Sequence, residues 1–537
     1  MKVDRRTLLV GGVATLALGA TPTAAYEVEE KSLRQLAEAI ASGTVTAKAL
    51  VEAYLARLDA VDVKGPGLKS VIERNPDALR IAEALDEERR EKGPRGPLHG
   101  LPVLVKDNLD SADAMKTTAG SLALLDAPTP ARDAFVVQRL REAGAVLLGK
   151  TNLSEWANMR GRASTSGWSG RGGLTKNPYV LTRNTSGSSS GSGAAAAASL
   201  CAAAIGTETD GSIVSPASVC GVVGFKPTLG LVSRAGIIPL AHSQDTAGPM
   251  TRTVYDAALV LDAIAGLDAR DPATAKLPKS LNARPLDSAR GERSGSSARG
   301  ERPGSFTAGL GAATLRGARL GVVRSLVERS WSQAAVTKDA LAALTTAGAV
   351  LVDVELPTSA YEEAELEVLL FELKADLDAY LGARGGPMKQ LTDLIAFNQV
   401  HAAEELPYFG QQHFLAAAKK GPLTSPAYKK ALATCGLART ALHGLLEKHR
   451  LDALVAPTDA PAWHTDLALG DHYTTSFSTP AAVAGCPHLT VPMGFVGELP
   501  VGLSFVGAAW SDAQVLALGH AFEEATHARK PPRYFAR

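Results

Sequence analysis

Ser186-Gly187-Ser188-Ser189-Ser190-Gly191-Ser192-Gly193 runs straight into five consecutive alanines, Ala194 to Ala198, and is followed by Gly206-Thr207-Glu208-Thr209-Asp210-Gly211-Ser212. A glycine–serine run on its own is a flexible linker. Alanine, however, is the strongest helix former, so Ala194–Ala204 is predicted to be helical, and a linker does not usually run into the start of an apolar helix. A loop of small residues at a helix N-terminus leaves backbone N–H groups pointing at a ligand and leaves hydroxyls uncrowded. The stretch therefore reads as part of a catalytic site, with Ser212 as a second piece of it.

Outward from this loop, strand and helix signals alternate. Leu101–Val105 is a short apolar run before a polar turn and is predicted to be a buried strand ending at Lys106. Phe135–Ala143 has helical spacing and Ala145–Leu148 reads as another strand. Ser32-Leu33-Arg34-Gln35 is a capping box opening a helix that Gly43 ends. Leu50, Val51, Tyr54, Leu55 and Leu58 form one face of a second helix. A long helical region is predicted from about Ser359 to Leu445, with Ser425-Pro426 as an N-cap and first-turn proline. Strand-like runs return at Leu454–Ala456, Leu489–Val491 and Gly502–Val506. Such alternation predicts an α/β fold with a largely buried sheet.

The chain has 537 residues, 45% hydrophobic and 21% charged, with 56 basic against 55 acidic side chains. The near-zero net charge argues against a nucleic-acid partner. Lys2, Arg5 and Arg6, the apolar stretch Leu8–Ala20 and the small residues Thr23-Ala24-Ala25 predict a signal peptide over residues 1–25, of the twin-arginine type, and so a periplasmic or secreted bacterial protein. The apolar run is too short to span a bilayer comfortably. Cys201, Cys220, Cys435 and Cys486 form no CxxC pair and sit among small or apolar residues, which predicts buried, inert thiols and no metal. From about 278 to 308 the chain is polar and repetitive, Ser288-Ala289-Arg290-Gly291-Glu292-Arg293 recurring as Ser297-Ala298-Arg299-Gly300-Glu301-Arg302, and a disordered surface insertion is expected. His401-Ala402-Ala403-Glu404 is not a HExxH zinc motif.

A lysine closing a buried strand loses pKa to burial and becomes a competent base. Lys106 could equally snorkel its ammonium to the surface, and serines in polar turns are commonly solvated hydroxyls. Gly187-Ser188-Ser189-Ser190-Gly191 also satisfies G-x-S-x-G, the nucleophile elbow. That alternative makes Ser189 the nucleophile with His464 or His488 as base, but Tyr179–Thr185 is too polar for the strand that should lead into the elbow.

These segments together resemble the amidase signature family. Its glycine–serine stretch matches Ser186–Ser192, with serine in place of family glycines at 186 and 190, and its second motif matches Gly206–Ser212, with Glu208 where aspartate is usual and Asp210 where glycine is usual. The resemblance continues through Lys106, Thr117-Thr118-Ala119-Gly120-Ser121, Gly221–Thr228, Asp245-Thr246-Ala247-Gly248-Pro249-Met250 and Gly485–Pro492. It implies a single large domain over residues 26–537, with a mixed central sheet covered by helices, and no cofactor. It further implies a Ser–cis-Ser–Lys triad of Ser212 as nucleophile, Ser188 as bridge and Lys106 as base, with backbone N–H groups of Thr209, Asp210, Gly211 and Ser212 as oxyanion hole. Amide hydrolysis to acid and ammonia through an acyl-enzyme is then the expected chemistry. Gly206–Ser212 with Ser233–Pro239 looks most like the bacterial peptide amidase branch, which acts on C-terminal peptide amides. A general amidase, a non-catalytic binding protein on the same fold, and a component that supplies ammonia to tRNA-bound amide transfer are the other readings; the export signal argues against the last. Ser164–Gly173 and the long helical region are expected to line the acyl pocket.

Overall fold

The computed structural model describes residues 26–278, 305–356 and 361–536. The signal segment 1–25 and most of the 278–308 insertion lie outside the described residues. At the insertion's far end Phe306 and Thr307 are buried, and the Phe306 N–H donates to Asp262 Oδ1 at 2.6 Å.

Thirteen strands are present among the described residues: β1 (Val71–Arg74), β2 (Pro102–Lys106), β3 (Val146–Thr151), β4 (Trp168–Ser169), β5 (Gly173–Leu174), β6 (Ala203–Glu208), β7 (Val223–Lys226), β8 (Thr246–Thr251), β9 (Arg319–Val323), β10 (Val350–Val354), β11 (Ala453–Pro457), β12 (His488–Val496) and β13 (Leu499–Val506). Eleven form one sheet in the order β1-β3-β2-β6-β8-β7-β12-β13-β11-β9-β10, and β4 and β5 make a separate hairpin. The sheet is mixed: β3-β2-β6 and β11-β9-β10 run parallel, while the other pairings are antiparallel. Helices cover both faces, so the central strands β2, β3, β6, β7 and β8 are buried along their whole length, as their uninterrupted small and apolar residues require.

Most predicted elements are in place. Ser32 and Gln35 form the reciprocal capping box of the helix Leu33–Ala41. Ser425 caps the helix Pro426–His449 with proline in its first turn. The long helical region is a set of separate helices, the largest being Glu362–Arg384 and Pro426–His449, and Ser359 lies outside the described residues. Leu369, Leu373 and Leu377 of Glu362–Arg384 pack with Trp156, Ile238 and Leu240, which brings this helix over the carboxyl ends of the central strands.

The alanine run is the exception. The helix begins earlier, inside the glycine–serine loop, and spans only Ser190–Ala197. Ser199 then turns the chain at φ 54°, and Ala203–Glu208 is β6, wedged between β2 and β8. Alanine's helix preference, a few tenths of a kcal/mol per residue over most residues, yields to the burial and ladder bonds of a central strand. All four cysteines are buried and unpaired. No described helix is long and apolar enough to cross a membrane.

Gly191 sits where a Cβ would lie 2.3 Å from the Ser70 carbonyl oxygen and 2.5 Å from that of Asn152. Backbone on both sides cannot yield as a side chain could. Gly191→Ala is expected to lower stability by about 1–3 kcal/mol. Gly436→Ala, on an exposed helix face with nothing near the new methyl group, is expected to raise it by about 0.5–1 kcal/mol. Thermal unfolding of the two variants checks both signs.

Candidate active site

The parallel pairing of β2 with β6 aligns Val105 with Ile205, so both strands end at the same edge of the sheet. Lys106, the last residue of β2, thereby lies beside Thr207. The carboxyl ends of parallel strands are where open α/β sheets place their ligands.

The serine-rich loop closes over this edge. Asn184 Oδ1 accepts the Ser186 N–H at 2.6 Å, and Ser190 Oγ donates to the Ser186 carbonyl at 2.6 Å. Ser186, at φ 53°, shares its hydroxyl with Ser215 Oγ (2.5 Å) and Tyr473 OH (3.0 Å). Both serines that replace family glycines thus hold the loop together. The Gly187–Ser188 peptide is cis. The Ser188 carbonyl accepts the Ser154 N–H at 3.0 Å, and the Ser189 N–H donates to the Ser212 carbonyl at 3.1 Å.

Lys106 is fully buried and does not snorkel. Its Nζ lies 2.7 Å from Ser188 Oγ, 2.9 Å from Thr207 Oγ1, 3.1 Å from Ser189 Oγ and 3.2 Å from the Thr207 carbonyl. None of these partners is charged. Burial therefore brings its pKa down from 10.5 to about 7, against the pull of the Asp245 and Glu208 carboxylates. At about 1.4 kcal/mol per pKa unit, the pocket favours the neutral amine by roughly 5 kcal/mol relative to an exposed lysine.

The segment after β6 is clamped from several sides. Glu208 Oε2 accepts the N–H groups of Ile213 (2.7 Å) and Val214 (3.0 Å), closing the loop onto the helix Val214–Val219. The longer side chain at 208 thus serves as an N-terminal cap. Thr209 Oγ1 donates to Asp245 Oδ1 at 2.6 Å, and Thr479 Oγ1 donates to Asp210 Oδ2 at 2.6 Å. Gly211, at φ +76°, has Ser478 Oγ 2.9 Å from where a Cβ would stand. Among the described residues, the N–H groups of Asp210, Gly211 and Ser212 donate to no other group.

Lys106 and Ser188 are brought into direct contact. Ser212 is brought against the loop through its carbonyl, but its hydroxyl makes no hydrogen bond among the described residues. It is 8% exposed, whereas Lys106 and Ser188 are at 0%. Ser189 is placed differently from what an elbow nucleophile requires: its buried hydroxyl accepts from Lys106 and the Thr207 N–H and donates to the Thr207 carbonyl. Neither candidate histidine reaches it. His464 is exposed and pairs through backbone with Arg183; His488 is buried on β12, 2.6 Å from Ser504 Oγ, its pKa driven down to about 3 by burial and by Lys226. Thr207, Gln244 and Glu365 border the site without having been singled out from sequence. Thr207 lies inside a quoted motif, whereas Glu365 carries no local signal.

Known proteins match the chain over most of its length. The family model described as Amidase matches residues 49–516. A probable amidase of Arabidopsis thaliana is 38% identical over 98% of this chain and 95% of its own length. The native peptide amidase of Stenotrophomonas maltophilia is 48% identical, with a TM-score of 0.87 over 94% of this chain and 99% of that one. An amidase family protein of Bacillus anthracis is 36% identical, with a TM-score of 0.82 over 94% of this chain and 93% of that one. The chain belongs to the amidase family, the amidase signature fold, and is a hydrolase acting on amide C–N bonds.

Proposed function

We propose that the protein hydrolyses C-terminal peptide amides to the peptide acid and ammonia, using Ser212, Ser188 and Lys106 through an acyl-enzyme. The 2.7 Å hydrogen bond between the buried Lys106 amine, its pKa lowered to about 7, and the Ser188 hydroxyl carries this reading. A serine hydroxyl attacks only when a neighbouring base takes its proton. Lys106 Nζ takes the Ser188 proton as Ser188 takes that of Ser212, whose hydroxyl turns onto Ser188 when substrate fills the site. Ser212 Oγ then bonds to the amide carbon. The oxygen that becomes negative is received by the backbone N–H groups of Thr209, Asp210, Gly211 and Ser212. As the C–N bond breaks, the proton returns through Ser188 to the nitrogen and ammonia leaves. Water, deprotonated along the same path, cleaves the ester and restores Ser212.

The peptide branch draws support from the likeness to the Stenotrophomonas peptide amidase and from the loop's surroundings. Trp168 packs edge-on against Tyr408 and Phe409, and the half-exposed Tyr473 rests on Trp463 with its hydroxyl on Ser186. Ser166 is tied to Asp471. Trp168 and Phe409 are buried against Arg160, which leaves Tyr408 and Tyr473 as the exposed rings available to meet the side chains of a peptide substrate. A periplasmic or secreted location is proposed on Lys2, Arg5, Arg6 and Leu8–Ala20 alone.

Ser212→Ala is expected to lower turnover by about 10⁴-fold or more with an unchanged melting temperature, and a serine-directed acylating reagent is expected to label Ser212 in the unmodified protein. A label on Ser189 defeats the assignment. Because the amine must be neutral to act, kcat/KM is expected to rise with pH through about 7 and then level off. Asp245 and Asp459 are pushed up by burial to about 6 and about 7, so the assignment rests on the variant: the residual rate of Lys106→Ala should lack that inflection. An inflection that persists in Lys106→Ala removes it as base. Ammonia release is expected from an amidated peptide and not from the corresponding unamidated peptide. Release from a simple aryl amide alone overturns the peptide reading.

A further inference from the structure

Thr209 is gripped at both of its polar ends. Its hydroxyl is held by Asp245, and its carbonyl accepts from Gln244 Nε2 at 3.2 Å. Gln244 is itself buried, and the same Nε2 donates to Glu365 Oε1 at 2.7 Å. Two acceptors around one terminal atom require it to be the NH₂ group, so the orientation of the amide is dictated. Glu365 is buried on the helix Glu362–Arg384, which crosses over the site from more than a hundred residues further along the chain.

The Thr209–Asp210 peptide is trans, and a trans peptide points its C=O and N–H in opposite directions. Holding the Thr209 carbonyl toward Gln244 therefore turns the Asp210 N–H to the opposite edge of the peptide, away from Gln244. That N–H is one of those left without a partner among the described residues. The Asp210 side chain is anchored separately from its N–H, with Oδ2 on Thr479 and the carboxyl bonded to that of Glu365. Burial and the neighbouring Asp210 carboxyl hold the Glu365 carboxyl well above the ordinary range.

We propose that Gln244, oriented by Glu365, is a positioning residue that aims the Asp210 N–H at the oxyanion of the tetrahedral intermediate. This rests on the oxyanion-hole reading above. An aimed donor acts on the transition state more than on bound substrate, which separates it from a residue that merely packs the loop.

Gln244→Met keeps the length of the side chain and removes the donor. It is expected to lower kcat about 10- to 100-fold, somewhat less than the loss of an entire oxyanion-hole donor. KM should stay within about twofold, and the melting temperature should fall modestly because the buried Glu365 and Thr209 acceptors lose their donor. Inhibition by a peptide aldehyde, whose serine adduct places its oxygen in the hole, should weaken by the same factor as kcat. Glu365→Gln, which preserves an acceptor for Gln244, is expected to retain nearly full kcat, and Glu365→Leu to behave as Gln244→Met. Unchanged kcat and aldehyde inhibition in Gln244→Met and Glu365→Leu overturn the proposal. So does a fall of kcat matched by an equal loss of substrate affinity in both. Ser212→Ala, assayed alongside, separates the two levels: an active Ser212→Ala sinks the catalytic reading, whereas an inactive one beside an unaffected Gln244→Met sinks only the positioning role.

Discussion

The site depends on an amine that has been taken out of water without a countercharge in contact. An isolated ammonium in such a place is untenable, and a protein answers either by pairing it or by neutralising it. Here the first contacts of Lys106 are hydroxyls and a carbonyl, while the carboxylates of Asp245 and Glu208 act only from further off. Glu208 spends both of its described hydrogen bonds on the backbone of the next helix, and Asp245 on Thr209 and the Leu240 and Ala241 N–H groups. Had either been a direct partner, the amine would remain protonated and could accept nothing. Ser188, Ser189 and Thr207 thus do more than fill space, since their neutrality lets burial lower the lysine's pKa.

A comparable economy governs the wall of the loop. Lys226, buried at the end of β7, is within electrostatic reach of Glu208, Asp210 and Asp512 and depresses His488. A histidine held neutral beside a buried lysine has little basicity left for proton transfer, and His488 instead joins the hydroxyl chain through Ser504, Thr458 and Thr490. The family's charged motif residues therefore divide into one amine with no charged group in contact and others held in structural bonds.

What could be read in the chain follows this division. Lys106 was conspicuous as a cation ending an apolar strand, but its burial and role came only through resemblance; the caps at Ser32 and Ser425 were legible because capping is local chemistry. Which of three adjacent serines face the lysine was not, because the answer is set by how the loop lies on β6, where Ser188 and Ser189 both reach it, and Ser188 was identified through resemblance. The alanine run misled for a related reason. Alanine has neither the period nor the branching that separates a buried strand from a helix, and only the neighbouring strands decide. Gln244 and Glu365 were invisible, since each matters through a residue on another element and neither leaves a pattern around itself.

The sheet order has a consequence for how the protein comes to exist. β6 and the loop after it are flanked by β8, β7 is paired with β12, and Ser478 and Thr479 press on Gly211 and Asp210 from the helix just before β12. Contacts of such sequence separation form slowly, and those made by residues near 480 must wait until that part of the chain has been synthesised. The lysine and its serines can meet early, but the backbone that faces them is held in shape only after nearly all of the chain has arrived. The shape of the backbone at Asp210 and Gly211 is accordingly a late product of folding.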